Sequence, residues 1–382
     1  MIDLPFFDER HRALVSRIET FAAAEIAPQA TAAEADADAA ARTFVRVLAK
    51  AGFLRLLVPK AHGGETDSPD LRSICLARER LASASGVADS VFAVDGLGAY
   101  PISVAGSEAL QRQYLPRVAE GAAIGAFAIT EAGAGSDLRG IATRARREGD
   151  SYVVDGVKTL ISNAGIADFY ALFARTSDDD RRGISAFVVD AGSAVTSRPI
   201  ALLAPHPIGE LTLAACRVPA ANRLGAEGDG LKIAHATLDF FRASVGAAAC
   251  GLAARARAEA QDRVRNRKQF GSALADFQAT KIALADMATE LDAARLLVYR
   301  AAWMKDRGDA RIPREASMAK LFATEAAQRI VDRALQLHGG LGVVRGIPVE
   351  RLYREVRALR IYEGTSEIQR LVIANHEPSP AP

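Results

Sequence analysis

The sequence has almost no excess of either charge, because it contains 48 Lys and Arg residues and 46 Asp and Glu residues, which gives a net charge of +2. A chain with so little net charge has no general attraction to nucleic acid or to an anionic membrane. It also lacks a long apolar segment: its longest uncharged run, from Ala243 to Ala254, is well short of the ~20 residues that span a bilayer. These absences predict a chain that binds neither nucleic acid nor membrane.

Cysteine and recognisable metal or phosphate motifs are also scarce. The three cysteines, Cys75, Cys216 and Cys250, have no CxxC spacing, which argues against a disulfide framework and a zinc site. There is no HExxH, no GxGxxG and no Walker-type phosphate loop. The opening segment MIDLPFFDERHRALV contains acidic residues and no apolar run, unlike a secretory signal. We therefore expect a cytoplasmic protein without a metal.

What the sequence does contain is an ordinary globular composition, with 49% hydrophobic and 25% charged residues over 382 positions. That length favours about two or three domains. Helical spacing of apolar residues dominates 1–121, short β-branched and aromatic runs dominate 122–229, and helical spacing returns over 230–382. The predicted fold class is α+β, mainly α: an N-terminal helical domain, a middle antiparallel β domain and a C-terminal helical domain.

Two local patterns sharpen this outline. Asp155-Gly156 separates SYVV from VKTLIS and predicts a hairpin turn, because both residues tolerate the positive φ that such a turn needs. Seven apolar residues at helical spacing predict the buried stripe of a core helix: Phe277, Leu284, Met287, Leu291, Ala294, Val298 and Ala301. The charged Arg295, Lys305 and Asp306 are interpreted as the solvated face of that helix. Further helices are predicted over 314–338, 348–361 and 365–375.

The segment GAFAITEAGAGSD, residues 125–137, joins a β-run to a glycine-rich turn. Gly133 and Gly135 would let the backbone approach a ligand closely, and Thr130 and Ser136 offer hydroxyls. Taken alone, the segment is a weak signal for an anion-binding loop, and a plain β-turn is the favoured interpretation.

A second segment, RIYEGTSEIQR, spans residues 360–370. Glu363 precedes Gly364, and Thr365 and Ser366 open a predicted helix, so free amides and hydroxyls lie beside a carboxylate. Without further context, a carboxylate at a helix entry is the favoured interpretation of Glu363.

Together the two segments resemble motifs of the acyl-CoA dehydrogenase family of flavoproteins. ITEAGAGSD is similar to the family's TEPGAGSD, with Ala132 in place of proline. RNRKQFG (265–271) is similar to its R-x-x-FG element, and LQLHGGLGVVRGIPVERLYREVR (335–357) to its Q-x-x-GG-x-G stretch followed by Pro and Glu-Arg. These elements occur in the family's order over nearly the whole chain.

The resemblance implies a β-barrel between two helical domains, FAD held noncovalently between the barrel and the C-terminal helices, and commonly a homotetramer. It implies eight residues beside the flavin: Phe127, Ile129, Thr130, Gly135, Ser136, Leu160, Ile161 and Ser162. Six more would contact the adenosine diphosphate part across a dimer interface: Arg267, Phe270, Gln278, Gln336, Gly339 and Gly340. Thr365, Ser366 and Glu367 would complete the site at a helix start, whose positive dipole suits pyrophosphate.

The activity that the resemblance implies is α,β-dehydrogenation of an acyl-CoA thioester, with electrons passing to an electron-transferring flavoprotein. A positioned base must remove the weakly acidic α-proton while a hydride leaves the β-carbon for flavin N5. Glu363 matches the family's catalytic glutamate in the IYEGT motif. Some members carry the base on the helix after the barrel, where this chain has Phe241, which cannot accept a proton.

The resemblance also implies substrate contacts. Asp239 and Arg242 match positions that contact the pantetheine and phosphate portion of CoA, with a structural ion pair as the alternative. Tyr362 and Gly364 would lie along the thioester, and Ser136 would serve both flavin and substrate.

Several departures from the family pattern bear on flavin and substrate. Leu160 stands where an aromatic residue is usual, and Ser162 where threonine is usual. The segment from His206 to Pro219 lacks a longer insertion that lies near the CoA nucleotide in relatives, which motivates the hypothesis of an acyl-carrier-protein substrate. Asp95 falls in the helical region that borders the acyl pocket in relatives. Pointing inward, it would bind a polar or cyclic substrate or act as a base on a ring carbon, but the favoured alternative is a cap of the next helix beside Gly96.

Other functions stay open on the sequence alone. An acyl-CoA oxidase or a nitroalkane-oxidase-like relative is the alternative enzyme, and Glu363 rather than an aspartate disfavours the latter. A flavin-free interaction protein on the same fold is the alternative from a different class. Fatty acid metabolism is the expected context, while the acyl length, the electron acceptor and the pathway stay undetermined.

Overall fold

The structure, a computed structural model, describes residues 2–180, 182–192, 194–309 and 311–377. Its α-helices are α1 (Glu9–Phe21), α2 (Ala37–Lys50), α3 (Leu71–Ala84), α4 (Gly86–Ala105), α5 (Glu108–Ala119), α6 (Gly230–Asn266), α7 (Gln278–Asp306), α8 (Pro313–His338), α9 (Pro348–Val356) and α10 (Ser366–Asn375). Its strands are β1 (Gly125–Ala128), β2 (Arg144–Glu148), β3 (Ser151–Ser162), β4 (Phe169–Arg175), β5 (Ile184–Asp190), β6 (Val195–Pro199), β7 (Ile208–Pro219), β8 (Arg223–Leu224), β9 (Lys268–Gln269) and β10 (Ser272–Ala273). This order confirms the predicted fold class.

Contacts divide the chain into two compact units. The helical unit comprises Met1–Thr31, Leu71–Gly86 and Asp239–Pro382, and the sheet unit comprises Ala32–Asp70 and Val87–Leu238. Helices α1 and α3 therefore belong with the C-terminal helices, whereas α2, α5 and nearly all of α4 belong with the strands.

The sheet unit is built on an eight-stranded sheet in the order β6-β7-β3-β2-β4-β5-β8, with β1 paired to β4. Most pairs are antiparallel, as predicted, but β4 runs parallel to both β1 and β2. The face that forms the core carries alternating apolar side chains, among them Tyr152, Val154, Leu172, Phe187, Leu211, Leu213 and Val218.

The hairpin predicted at Asp155-Gly156 is wrong. Both residues lie inside β3, which pairs with β7 along its length with a register shift between Val154 and Gly156. The Asp155 carboxylate accepts a hydrogen bond from the backbone N–H of Ala215 across this irregularity. Asp-Gly suits a β-bulge as well as a turn, because both need unusual backbone angles. The actual β2–β3 turn lies at residues 149–150.

Helix α4 crosses the start of β1 at very close range. A Cβ atom on Gly98 would lie 2.6 Å from the backbone nitrogen of Ala126, so only glycine fits. One turn earlier, the fully buried carboxylate of Asp95 accepts a hydrogen bond from the backbone N–H of Gly125 at 2.7 Å. Asp95 lies inside α4 and therefore does not cap the next helix, contrary to that alternative.

We predict that Gly98→Ala destabilises the protein by about 1–3 kcal/mol, the usual cost of overpacking a close contact. Urea denaturation measures this change. Gly192→Ala is the matched control, since a Cβ there meets no atom within 4 Å in the described part of the chain. Equal stability of the two variants would contradict the close packing of α4 on β1.

In the helical unit, α7 packs against α3 and α8, and α8 also packs against α9 and α10. The predicted stripe is confirmed from Met287 onward: Met287, Leu291, Ala294, Val298 and Ala301 are buried. The helix predicted from 348 ends at Val356, and a 3-10 turn, Arg357–Arg360, follows it.

The interpretation of Arg295 and Asp306 as solvated is wrong. Arg295 forms a 2.7 Å ion pair with the buried Glu79 of α3. Asp306 accepts hydrogen bonds from the backbone N–H groups of Leu71 and Arg72 at 2.7 and 2.9 Å and so caps the start of α3. The residues of α3 that Arg295 and Asp306 contact are more than 200 positions away in the sequence. The spacing of apolar residues along one helix carries no information about such distant contacts.

Candidate active site

The TEAGAGSD motif forms a closed loop after β1 in the sheet unit. The backbone groups of Glu131 and Ala134 hydrogen-bond to each other in both directions at 3.0 Å. The backbone N–H of Thr159 donates to the carbonyl of Thr130 at 2.9 Å, which ties the loop to β3 one residue before Leu160. The structure thus places the two predicted flavin-binding segments of this unit, 127–136 and 160–162, side by side.

A buried ion pair holds this loop in place. Lys158 of β3 is fully buried, and its Nζ donates to Glu131 Oε1 at 2.8 Å and to the carbonyl of Ile129 at 3.1 Å. The Glu131 carboxylate also accepts from the backbone N–H groups of Ala142 and Thr143 at 2.7 and 3.0 Å. Burial acts to raise the pKa of Glu131, but the bonds and charge of Lys158 outweigh burial and lower it.

We predict that Lys158→Met destabilises the protein by about 3 kcal/mol or more, because it leaves the Glu131 carboxylate buried without its cation. The free energy of unfolding in urea checks this. The double variant Glu131→Gln with Lys158→Met removes both charges and should recover part of the loss. A single variant as stable as the wild type would show that the pair does not hold the loop.

The end of β3 carries a second polar contact. The Ser162 hydroxyl lies 2.6 Å from Nε2 of His206, in the segment where the sequence lacks the longer insertion. The next residue, Asn163, donates from its Nδ2 to the carbonyl of Gly125 at 3.0 Å. Burial lowers the pKa of His206 to about 4, so its ring is neutral at pH 7.

A lowered pKa in the folded state predicts a pH effect on stability. The unfolded His206 takes up a proton below about pH 6.5, whereas the folded one stays neutral until about pH 4. Stability is therefore lost as the pH falls between these values, by about 1–2 kcal/mol from pH 7 to pH 5. His206→Asn should flatten the dependence in urea titrations at the two pH values; an unchanged slope would contradict a buried neutral ring.

The segment that contains Glu363 lies in the helical unit, at the entry to α10. Thr365 is the N-cap of α10, as predicted, and its hydroxyl accepts from the backbone N–H of Ile368. Glu363 and Gly364 both have left-handed backbone angles, with φ of 54° and 94°. Non-glycine residues rarely adopt this conformation, so contacts must hold Glu363 there.

Side chains from three helices supply those contacts. The Glu363 carbonyl accepts from Nε of Arg242 at 3.3 Å and from Nε2 of Gln369 at 3.2 Å. The Gly364 carbonyl accepts from Nζ of Lys320 at 2.5 Å and from Gln369 at 2.9 Å. Side chains of α6, α8 and α10 therefore hold the backbone at Glu363 and Gly364 and fix the point from which the Glu363 side chain extends.

Arg242 is itself held by an ion pair. Its guanidinium lies 3.0 Å from the carboxylate of Asp239, one turn earlier on α6, and both side chains are largely buried. Arg311 adds a 3.2 Å contact to the other Asp239 oxygen. The ion pair left open by the sequence is present, and it directs Arg242 toward Glu363.

The six residues predicted to contact adenosine diphosphate lie apart from the Glu363 turn in sequence and are all exposed. They follow α6, begin α7 and end α8: Arg267, Phe270, Gln278, Gln336, Gly339 and Gly340. Phe270 is 95% exposed with a left-handed φ of 50°. A large apolar side chain in this state suits a surface that another molecule covers.

Sequence reasoning missed four residues of these two clusters: Glu131, Lys158, His206 and Lys320. Glu131 lay within the quoted motif, but its partner Lys158 sits 27 positions away. His206 was one lone histidine among six. Lys320 lies on a helix of ordinary composition, so only its burial, seen in the structure, reveals it.

Comparison with known proteins places the chain in a family. The model for the acyl-CoA dehydrogenase N-terminal domain matches residues 8–122, that for the middle domain matches 126–216, and that for the C-terminal domain matches 228–377. The chain belongs to the acyl-CoA dehydrogenase family. It is an oxidoreductase that dehydrogenates acyl-CoA with FAD as cofactor.

Individual relatives align over nearly their full length. The chain is 39% identical to the 3-(aryl)acrylate reductase of Clostridium sporogenes, covering 97% of this chain and 99% of that protein. It is 36% identical to the cyclohexane-1-carbonyl-CoA dehydrogenase of Geobacter metallireducens, over 96% and 97%. The structure of butyryl-CoA dehydrogenase from Megasphaera elsdenii superposes with a TM-score of 0.91 at 33% identity, over 97% and 98%.

No helix among the described residues is long and apolar enough to cross a membrane. No group of three or more His, Cys, Asp or Glu side chains in the same ranges could hold a metal ion.

Proposed function

We propose that Glu363 is the base that removes the α-proton of the acyl thioester. The observation that carries this assignment is the left-handed turn at Glu363 and Gly364, whose two carbonyls are held by Arg242, Lys320 and Gln369. A general base must be held within hydrogen-bond reach of the proton that it takes. The α C–H bond breaks toward the carboxylate, and the electron pair forms the new double bond as a hydride leaves the β-carbon.

The residues present fit FAD. Gly133 and Gly135 face open space, since a Cβ there would meet no described atom within 4 Å, and the adjacent Leu160 is 51% exposed. The start of α10 offers the positive end of a helix dipole for pyrophosphate. When bound, FAD supplies the acceptor for the β-hydride. The proposed binding residues are Phe127, Ile129, Thr130, Gly135, Ser136, Leu160, Ile161, Ser162, Thr365, Ser366 and Glu367.

We propose that a neighbouring copy of the chain completes the cofactor site in a homotetramer. The exposed group Arg267, Phe270, Gln278, Gln336, Gly339 and Gly340 would reach the adenosine diphosphate part across a dimer interface. The exposed apolar side chains of the helical unit, Phe270, Ile282, Leu341 and Val343 among them, support a surface that an identical subunit covers.

We propose that Asp239, Arg242, Tyr362, Gly364 and Ser136 contact the acyl thioester. Arg242 supports this role, since a buried guanidinium directed at the Glu363 turn suits an anionic or carbonyl-rich ligand.

Asp95 stays a proposed substrate residue. Burial raises the pKa of its carboxyl group to about 8, so at pH 7 it carries a proton that it can donate to a polar acyl group.

The substrate class and electron acceptor are proposed from relatives and from the shortened segment 206–219. Relatives named for aryl, cyclohexane and butyryl compounds bracket a small or cyclic acyl group. A relative named as a subunit of a caffeyl-CoA reductase-Etf complex supports an electron-transferring flavoprotein as partner. An acyl-carrier-protein thioester or an oxygen-using oxidase is the alternative. We also propose a cytoplasmic location, which three free and buried thiols suit, and a role in fatty acid metabolism. Along the sequence we propose three domains, 1–121, 122–229 and 230–382, although by contacts parts of the first segment group with the third.

We predict that short, branched or cyclic acyl-CoA thioesters bleach the flavin absorbance of the anaerobic holoenzyme, and that Glu363→Gln slows bleaching by about 10²-fold or more, because the amide cannot take the proton. Stopped-flow absorbance measures both. Glu108→Gln, on the exposed surface of α5, is the control.

Bleaching of Glu363→Gln at the wild-type rate would remove the assignment of the base. A flavin bleached only by acyl-carrier-protein thioesters would move the substrate to a carrier protein and leave the base in place.

A further inference from the structure

Lys320 of α8 holds the Gly364 carbonyl, but the reaction as described gives no role to its buried positive charge. Its side chain is 1% exposed, and burying an ammonium ion is costly unless it is well paired. The Nζ donates to the carbonyl of Gly364 at 2.5 Å. The cation therefore contacts the carbonyl of the residue that directly follows the proposed base.

The charges that act on Lys320 come from α6, α8, α10 and the turn before α10. Glu363 precedes the turn, Arg242 reaches it from α6, Glu325 lies on α8 and Glu367 on α10. Glu325 is engaged elsewhere, since it forms a 2.9 Å ion pair with Arg360. Burial lowers the pKa of Lys320 to about 8, while the charge of Glu363 acts to raise it. At pH 7 the side chain is thus mainly an ammonium ion, and its attraction to the Glu363 carboxylate is mutual.

The backbone at Glu363 has an unfavourable conformation that neighbouring groups must stabilise. Glu363 has a φ of 54°, a conformation that costs a non-glycine residue of order 1–3 kcal/mol and persists only where its surroundings impose it. At Gly364 a Cβ would lie 2.7 Å from Nε2 of Gln369, so the turn is tightly closed. Lys320 and Gln369 share the Gly364 carbonyl, and of the two only Lys320 carries a charge.

We propose that Lys320 is a positioning residue for Glu363, which fixes the left-handed turn through the Gly364 carbonyl and supplies a positive charge that favours the ionised carboxylate. This role rests on Glu363 being the base. It goes beyond a structural contact, because loss of the charge alone then changes the pH dependence of the reaction.

Three variants separate the charge from the hydrogen bond. Lys320→Met removes both, Lys320→Gln keeps a donor without a charge, and Lys320→Arg keeps the charge. The rate of flavin bleaching is measured as a function of pH. The acid limb of this pH–rate profile reports the ionisation of Glu363, since a protonated carboxyl cannot take the α-proton. We expect this limb to move to higher pH by about one unit in the Met and Gln variants, as loss of a nearby opposite charge predicts, and to stay near wild type in the Arg variant.

A second readout needs no turnover. In protein carrying δ-¹³C-labelled glutamate, the carboxyl resonance absent from Glu363→Gln identifies Glu363, and its titration midpoint should rise in the Met and Gln variants. Lys50→Met, at an exposed position in the last turn of α2, is the matched control and should leave both readouts unchanged.

The outcomes separate the two proposals. A wild-type flavin that no acyl thioester bleaches would overturn the proposed reaction, while the carbon titration would still test Lys320. If Lys320→Met does not fold, the Gln and Arg variants carry the test. An acid limb and a Glu363 midpoint that stay at wild-type values without the Lys320 charge would overturn the positioning role, whatever happens to stability.

Discussion

A charge taken out of water must find an opposite charge or a set of hydrogen bonds, and both functional segments depend on how this protein meets that requirement. In the sheet unit, Glu131 accepts two backbone amides as well as Lys158. In the helical unit, Arg242 and Lys320 donate to two backbone carbonyls. In each case the buried charge binds main chain, so the contact that satisfies the charge also fixes the shape of a loop.

This arrangement suits a reaction that needs a loop in an unusual conformation. Inside a helix, the regular backbone hydrogen bonds would fix the position of a residue such as Glu363. A left-handed residue at a helix entry lies outside that regular pattern. Three side chains from different helices replace those hydrogen bonds. Because two of them are cations, the groups that hold the backbone also act on the carboxylate that it carries. Geometry and electrostatics at the proposed base are therefore set by the same side chains.

The sequence predicted features that depend on local pattern. The α, β, α order, the buried stripe of α7 and the N-cap at Thr365 all follow from spacing and residue type. The Asp155-Gly156 hairpin failed because a bulge and a turn share the same residue preference. The interpretation of Arg295 and Asp306 failed because their partners lie on α3. Periodicity reports which face a residue occupies, whereas pairing of buried charges is decided by elements distant in sequence.

Asp95 and Glu363 show why residue type alone does not choose a base. Both are carboxyl groups proposed to lie near the acyl chain. The amide of Gly125 acts to stabilise the charge of Asp95, but burial and the nearby Asp168 oppose it, so the pKa of Asp95 is raised to about 8 and it mainly holds a proton at pH 7. Glu363 instead faces Arg242 and Lys320, which favour its ionised form. A carboxyl that already carries a proton cannot take one from an α-carbon, so the raised pKa of Asp95 fits it to hydrogen-bond donation and is consistent with the proposal that Glu363 is the base.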